Sequence, residues 1–543
     1  MMKLHRLPAL LFVLIVSTIL IVSINLRRSF SFPGAVSGPV TDFSIPLPRR
    51  HTQSLALLDH PLPLRLHSQP SIDAVLFPDW ETLILLPLGF PPPSTPLSCH
   101  FPNGVISPAV LSGVIPSSGR QTLRCSIPPS ARRRLSPPQI PGTAPPSELL
   151  RWNKLVYESI SIPDDVIVFA KGINNRRQGV NLPATELRCV FLSIDGAVIA
   201  FTPVTSSVQE VFRCPHPNLN PSSGDALRVS LQRNRDPRAF PSLATFKPFS
   251  RGPHPSAAQD KTRPLLVCAC TMVRDVSKFL GEWVTYHSAI GVDRFIIYDN
   301  GSEDDLGSAI NRLLLEGHDV STVLWPWAKT QEAGFSHCAA AHRDSCDWMA
   351  FIDVDEFLFS PAWAESARPN RTMVGSILPT EPESDRVGQV SVPCRDFGPS
   401  GRKEHPRNGV TQGYTCRARA QERHKSVVFL QAVARSMVNV VHHFGLGEGW
   451  RTASVGSKRA VVNHYKFQAW PEFRTKFRRR VSAYVADWRN EINMNSKDRT
   501  PGLGSEPVEP AGWERRFCEV NDTRLTELNR KWFGLDQGRM VWE

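Results

Sequence analysis

At 543 residues, 41% of them hydrophobic, the chain is long enough for two or three domains with sizeable cores, and it is not a disordered protein. The formal charge of +13 is dispersed in short clusters such as Arg132-Arg133-Arg134 and Arg478-Arg479-Arg480, with no aromatic-interleaved basic array, which argues against nucleic acid as a partner. Anionic sugar nucleotides, acidic glycans and membrane surfaces fit that charge better.

After a short cytosolic tail, residues 1–6, the run at 7–26 (LPALLFVLIVSTILIVSINL) has the length a helix needs to cross a bilayer, with Lys3 and Arg6 before it and Arg27 and Arg28 after it. We expect an uncleaved signal anchor. A cleaved signal peptide is the competing reading, but its apolar core is shorter and ends in small residues, whereas this run exits into Arg-Arg. If the N-terminus is cytosolic, the bulk of the chain lies in the secretory lumen. Eleven cysteines and the sequons at Asn370 and Asn521 are compatible with that oxidising compartment, and the odd count leaves at least one free thiol. Residues 27–70 read as a Pro-rich stem.

The 48 prolines are densest before position 260, so residues 71–260 are expected to be β-rich and loop-rich. Short β-branched runs such as AVIAFTPV (197–204), flanked by turn residues, look like the antiparallel strands of a sandwich. There is an internal echo: DAVLFPDW from Asp73 leads to Cys99 and Cys125, and DDVIVFAKG from Asp164 leads to Cys189 and Cys214. Two β units stapled Cys99–Cys125 and Cys189–Cys214 are one expectation, and a single irregular β domain with some free thiols is the other. Carbohydrate binding is conceivable for this region.

At Pro264 the texture changes. PLLVCACTMV (264–273) reads as a buried strand, and the next segment carries Phe279, Leu280, Trp283, Val284, His287 and Ile290 at helical spacing, stopping at Gly291. A strand RFIIYDN, a helix from about Leu306 to Glu316, a strand VSTVLWPW, a helix across Gln331 to Arg343 and a strand into Asp353 come next. This alternation predicts an α/β fold with a Rossmann-type parallel-core sheet over 261–490, its ligands at the strands' carboxyl ends, where Asp299 and Asp353 emerge. Cys268 and Cys270 share one face of the first strand and read as core thiols, since C-x-C alone makes no zinc site. Residues 491–543 read as a C-terminal extension without chemistry.

MAFIDVDEFLF (349–359) sets Asp353, Asp355 and Glu356 directly after a hydrophobic strand. Two carboxylates one residue apart, where the chain turns, reach one divalent cation. Such hard oxygen ligands suit Mn²⁺ or Mg²⁺, which keep positions open for phosphate oxygens. The bland alternative is a solvated loop or a helix N-cap.

TMVRDVSKFLGEWVTYHSAIGVDRFIIYDNGSEDD, FIDVDEFLF, CRDFGPSG, ERHKSVV, NVVHHF and VVNHYKF, in that order over about 263–488, resemble the glycosyltransferase family 92 proteins of plants, membrane-anchored enzymes similar in type to the galactan galactosyltransferases. The resemblance implies a GT-A fold, a nucleotide-sugar donor of the UDP-galactose kind, a polysaccharide or glycoprotein glycan acceptor and a single-pass type II anchor in the Golgi membrane. It also implies that Asp353, Asp355 and His464 bind the metal, that Asp299 and Asn300 face the nucleoside with Arg274 assisting, and that Lys425 contacts phosphate. His442 and His443 are left as structural. An inverting transfer needs a base on the acceptor hydroxyl, for which Asp396 is the candidate, with Glu404 and Glu422 behind it; a turn cap before Gly398 is the equal alternative for Asp396.

The expected activity is therefore metal-dependent, inverting hexosyl transfer, galactose by analogy; the alternative is a catalytically inactive carbohydrate-binding protein. A phosphohydrolase also places D-x-D at a strand end, but it puts a small residue where Phe357 stands. No P-loop, G-x-S-x-G or convincing dinucleotide fingerprint supports a kinase, esterase or dehydrogenase.

Overall fold

The computed structural model describes residues 72–476 and 508–543, except 79, 91–96, 134, 175–179, 194, 220–226, 250–265, 422 and 441. The expected membrane span, the stem and Glu422 lie outside the described residues, among which no helix is long and apolar enough to cross a bilayer.

Residues 72–151 form one six-stranded sheet, antiparallel except where Asp73–Leu76 pairs in parallel with Leu149–Arg151. Residues 155–246 form two four-stranded sheets that share a core of Val168, Phe212, Phe191, Val229 and Leu231. Both expected disulfides are present, and Cys189–Cys214 ties one sheet of that sandwich to the other. The internal echo therefore extends to the cysteines but not to the architecture, because only the second half is a sandwich.

In the later region, β1 (Val267–Val273), α1 (Ser277–Ile290), β2 (Arg294–Asp299), α2 (Leu306–Leu315), β3 (Val320–Leu324), α3 (Gln331–Ala341) and β4 (Trp348–Phe351) come in the order the periodicity predicts. The four strands are parallel, in the order β3-β2-β1-β4. β1 and β4 are buried almost throughout, which is why both read as unbroken apolar runs rather than alternating ones. α1 stops at Gly291, whose φ is 111° and where a Cβ would stand 1.8 Å from the Arg371 carbonyl oxygen, so only glycine fits.

Next come β5 (Glu356–Phe359), β6 (Val387–Asp396), β7 (His424–Phe429), β8 (Arg451–Ser454) and β9 (Val461–His464). They continue the sheet as β4-β7-β6-β9-β5, with β8 alongside β6, making it mixed beyond β4.

One cysteine expectation is overturned. Cys268 and Cys270 are not free thiols: they are bonded to Cys346 and Cys338, so one face of β1 is stapled to α3 and to the segment after it. With Cys416–Cys518 as the fifth bond, the buried Cys394 is the one free thiol. Within residues 508–543, Leu525 and Leu528 of α4 (Arg524–Phe533) enter the core of the later region and Val520–Asn521 pairs with Cys416–Arg417.

The front sheets and the later sheet share a second core. Trp152 stacks on Trp327 with ring centres 5.8 Å apart, and Leu83, Tyr157, Phe169 and Trp325 belong to the same apolar cluster. Glu158 lies fully buried at a bulge in the adjoining strand Leu155–Ser161. Burial pushes its carboxyl up to about 7, against the opposing pull of Ser117 and Ser159. A folded-state value above the unfolded one means that its stabilising share is present below about pH 4.5 and is lost as pH rises through about 7. Glu158→Gln is expected to remove this loss, so that wild type weakens against the variant by a few kcal/mol between pH 5 and 8 in urea unfolding. A pH-independent difference between the two would refute the assignment.

Candidate active site

Going outward from β1, the chain lays β2 and β3 on one side and β4 on the other. The strand order therefore reverses between β1 and β4, and a crevice opens outside their carboxyl ends, the usual ligand position in such sheets. Val273 ends β1, and Asp353 lies two residues beyond the end of β4.

The turn out of β4 is closed from both directions. The Glu356 N–H donates to the Asp353 carbonyl at 3.0 Å, and the Asp353 N–H donates to Glu356 Oε2 at 2.9 Å. Helix α1 braces β5, the strand into which the turn leads: Trp283 Nε1 donates to the Glu356 carbonyl at 3.0 Å and the Tyr286 hydroxyl to that of Leu358 at 2.6 Å. Burial depresses the His287 imidazole to about 3, so it stays neutral, with Nδ1–H on the Trp283 carbonyl and Nε2 accepting the Leu358 N–H. The aromatic stripe of α1 is thus the mount for the acidic turn.

Around the turn the sheet gathers charge. Lys425, on β7, is buried with Nζ 3.1 Å from Asp353 Oδ2, 2.7 Å from Glu356 Oε1 and 2.6 Å from His442 Nε2. Burial works to raise the Asp353 carboxyl, but Lys425 and His442 hold it well below the usual carboxylate range. Burial wins at Glu356, whose carboxyl is raised in spite of Lys425. Asp355 is ion-paired with Lys476, from the helical stretch at 470–476, and that contact together with His464 lowers its carboxyl against the effect of burial.

The register of β9 places His464 opposite Glu356 on β5 and opposite Asp396 on β6. His464 Nδ1 lies 2.9 Å from Asp396 Oδ1, and its buried Nε2 has no hydrogen-bond partner among the described residues, 3.8 Å from Asp355 Oδ2 and 3.6 Å from Glu356 Oε1.

Asp396, expected as the general base, has its second oxygen 2.9 Å from Lys466 Nζ. Burial would raise its carboxyl, yet His464 and Lys466 hold it well below the usual range, which makes it a poor proton acceptor and a good orienter of His464. Lys425, expected on phosphate, has its ammonium committed beneath Asp353 and Glu356. Glu404 is exposed.

On the other side of the crevice, Asp299 Oδ1 accepts the Ser302 N–H at 2.8 Å and Asn300 Nδ2 donates to the Trp325 carbonyl at 2.7 Å, so both side chains shape their own loops. The half-exposed Arg274 has Nη2 3.6 Å from Glu303 Oε1.

Among the described residues, no group of three or more His, Cys, Asp or Glu side chains forms a ready cage for a metal. The donor set nonetheless fits one. Asp355, two residues from the ionised Asp353, faces an imidazole whose buried Nε2 has no partner among the described residues and whose other nitrogen is held by a carboxylate, as in metal-ligating histidines. Lysines balance that charge. Sequence reasoning missed Lys466, Lys476 and the aromatic mount. Lys466 stood in plain sight two residues past His464, whereas Lys476 announces itself by no motif.

A model of glycosyltransferase family 92 matches residues 263–499. A glycosyltransferase family 92 protein of Oryza sativa subsp. japonica is 39% identical over 486 residues, which cover 85% of this chain and 80% of the relative. One of Arabidopsis thaliana is 41% identical over 403 residues, 72% of this chain and 69% of that protein. Among solved structures, a mannosyltransferase of Pyrobaculum calidifontis in complex with GDP-Man and Mn²⁺ is similar at 11% identity and a TM-score of 0.26, over 43% of this chain and 66% of that one. With the identity to the two plant proteins running across most of each chain, the protein belongs to glycosyltransferase family 92 and is a glycosyltransferase.

Proposed function

We propose that this enzyme is a metal-dependent, inverting hexosyltransferase with a GT-A arrangement, moving a hexose from a nucleotide-sugar donor to a polysaccharide or glycoprotein glycan. Galactose, with UDP as its carrier, is the reading by family resemblance. One observation carries the proposal: the orphaned His464 Nε2 faces Asp355, beside Asp353, at the carboxyl-end crevice. The donor diphosphate then lies across the ends of β1 and β4, with the nucleoside toward the loop after β2.

Asp353, Asp355 and His464 would hold a divalent cation, Mn²⁺ or Mg²⁺. Bound there, such a cation supplies Lewis-acid neutralisation of the departing diphosphate. The chain's own residues prepare for it: Lys425 keeps Asp353 ionised, and Asp396 fixes the imidazole with Nε2 outward. Lys476, paired with Asp355, has its ammonium where either a cation or a phosphate would need to sit.

The apolar run at 7–26 supports a single-pass type II anchor, and we propose a Golgi location with the catalytic region lumenal. The inactive binding-protein alternative has no support from the site, whose carboxylates and imidazole are all present. Presented with a panel of nucleotide sugars and Mn²⁺, the protein is expected to release nucleoside diphosphate from one of them, and chelator is expected to stop the release. Turnover that persists undiminished under chelator removes the metal from the mechanism.

A further inference from the structure

We infer that Arg124, a residue of the front β-sheet far outside the family-matched region, is a positioning residue of the donor-nucleotide site. The inference rests on the proposed placement of the nucleoside toward the loop after β2.

Arg124 sits in the strand Gln121–Ser126 and is only 7% exposed. Its guanidinium reaches out of that sheet. Nη2 donates to Glu81 Oε2 at 2.7 Å within the front sheet, while Nη1 donates to the Gly301 carbonyl at 2.8 Å and lies 3.6 Å from Glu303 Oε1. The approach is close enough to dictate sequence: Gly301 has φ of 78°, and a Cβ there would stand 2.7 Å from Arg124 Nη1. The sheets also meet directly, since a Cβ at Gly113 would lie 3.5 Å from the Leu324 side chain at the end of β3.

The loop that Arg124 grips is itself the brace for the exit of β1. Ser302 Oγ accepts the Asp275 N–H at 3.0 Å, Asp275 Oδ1 accepts the Glu303 N–H at 2.6 Å, and Asp304 Oδ2 accepts the Ser277 N–H at 2.8 Å. Asp275 is held at φ of 49°, a left-handed backbone that a non-glycine residue keeps only where its surroundings enforce it. Arg274, next to it, is 3.6 Å from the same Glu303 oxygen that Arg124 approaches. The chain of contacts thus runs from the front sheet through Gly301 and Glu303 to the first turn after β1, which borders the switch-point crevice. A buried, forked cation gripping one carbonyl fixes a loop better than a solvated side chain, because burial in the front sheet already limits its rotamers.

The test compares Arg124→Ala, Glu81→Gln and Glu303→Gln in the full chain, with UDP and Mn²⁺ as the titrated probe. Arg124→Ala is expected to weaken UDP binding about tenfold, a loss of about 1.4 kcal/mol. Glu303→Gln, at a side chain 59% exposed, is expected to weaken it by a smaller factor. Glu81→Gln breaks the front-sheet pair but leaves the Gly301 contact, so it should lower the melting temperature as Arg124→Ala does while leaving UDP affinity near wild type. Equal UDP affinity in Arg124→Ala and wild type, or equal weakening by Glu81→Gln, overturns the inference. If Arg124→Ala does not fold, unchanged affinity in Glu303→Gln overturns it instead. Wild-type protein that fails to bind UDP at all overturns the UDP reading beneath it, independently of Arg124.

Discussion

Alanine at either Asp353 or Asp355 is expected to lower kcat/KM by about a thousandfold, the scale on which loss of charge stabilisation at a leaving group is felt, or about 4 kcal/mol of transition-state energy. Both side chains are ion-paired without being structural keystones: Asp353 is 24% exposed at the side chain and Asp355 is paired with the half-buried Lys476, so the variants should fold. His464→Ala and Asp396→Asn should cost less, about ten- to a hundredfold, because one supplies a single ligand and the other only its orientation. Manganese binding followed by electron paramagnetic resonance, without donor, should weaken in the same rank order. Full turnover in the double aspartate variant would end the metal reading, and full loss of turnover in Asp396→Asn with intact manganese binding would restore Asp396 as a base.

Lys425→Met is expected to have the largest effect on stability. The methionine keeps most of the stem but removes the ammonium that lies 3.1 Å from Asp353 and 2.7 Å from Glu356, leaving the buried Glu356 and the part-buried Asp353 without their shared counter-charge. Breaking a buried pair from one side costs about 3–5 kcal/mol. Burial by itself would lower the lysine's own affinity for its proton, but Asp353 and Glu356 outweigh it and raise that affinity, so the charge is present throughout the working pH range. Denaturant unfolding measures the loss. The variant should also gain more stability from added manganese than wild type does, since the cation takes over the missing charge. A variant within about 1 kcal/mol of wild type and indifferent to manganese would show that the pair carries no such weight.

How much of this was legible depends on the distance over which each feature is encoded. The alternating elements from β1 to β4 were readable because each is a local period of apolar residues, and α1 announced its own end at Gly291. Asp353 and Asp355 were visible because a strand end and a carboxylate pair adjoin in sequence. The partners of Cys268 and Cys270 were not, for they lie 78 and 68 residues on, in and after a helix whose packing on β1 no local pattern states. The surroundings of Asp396 were hidden because they are made by register: only the pairing of β6 with β9 brings His464 beside it. Lys476 and Arg124 belong to the same class, being charges whose targets are set by tertiary packing alone.

The second core has a practical corollary. A sequence match beginning at 263 invites the idea that the chain can be cut there, yet Trp325 and Trp327, inside that match, are covered by Leu83, Trp152 and Tyr157 from outside it. A truncation at that boundary would turn a stacked tryptophan interior into wet surface, so the segment that defines the family is smaller than the body that can fold by itself.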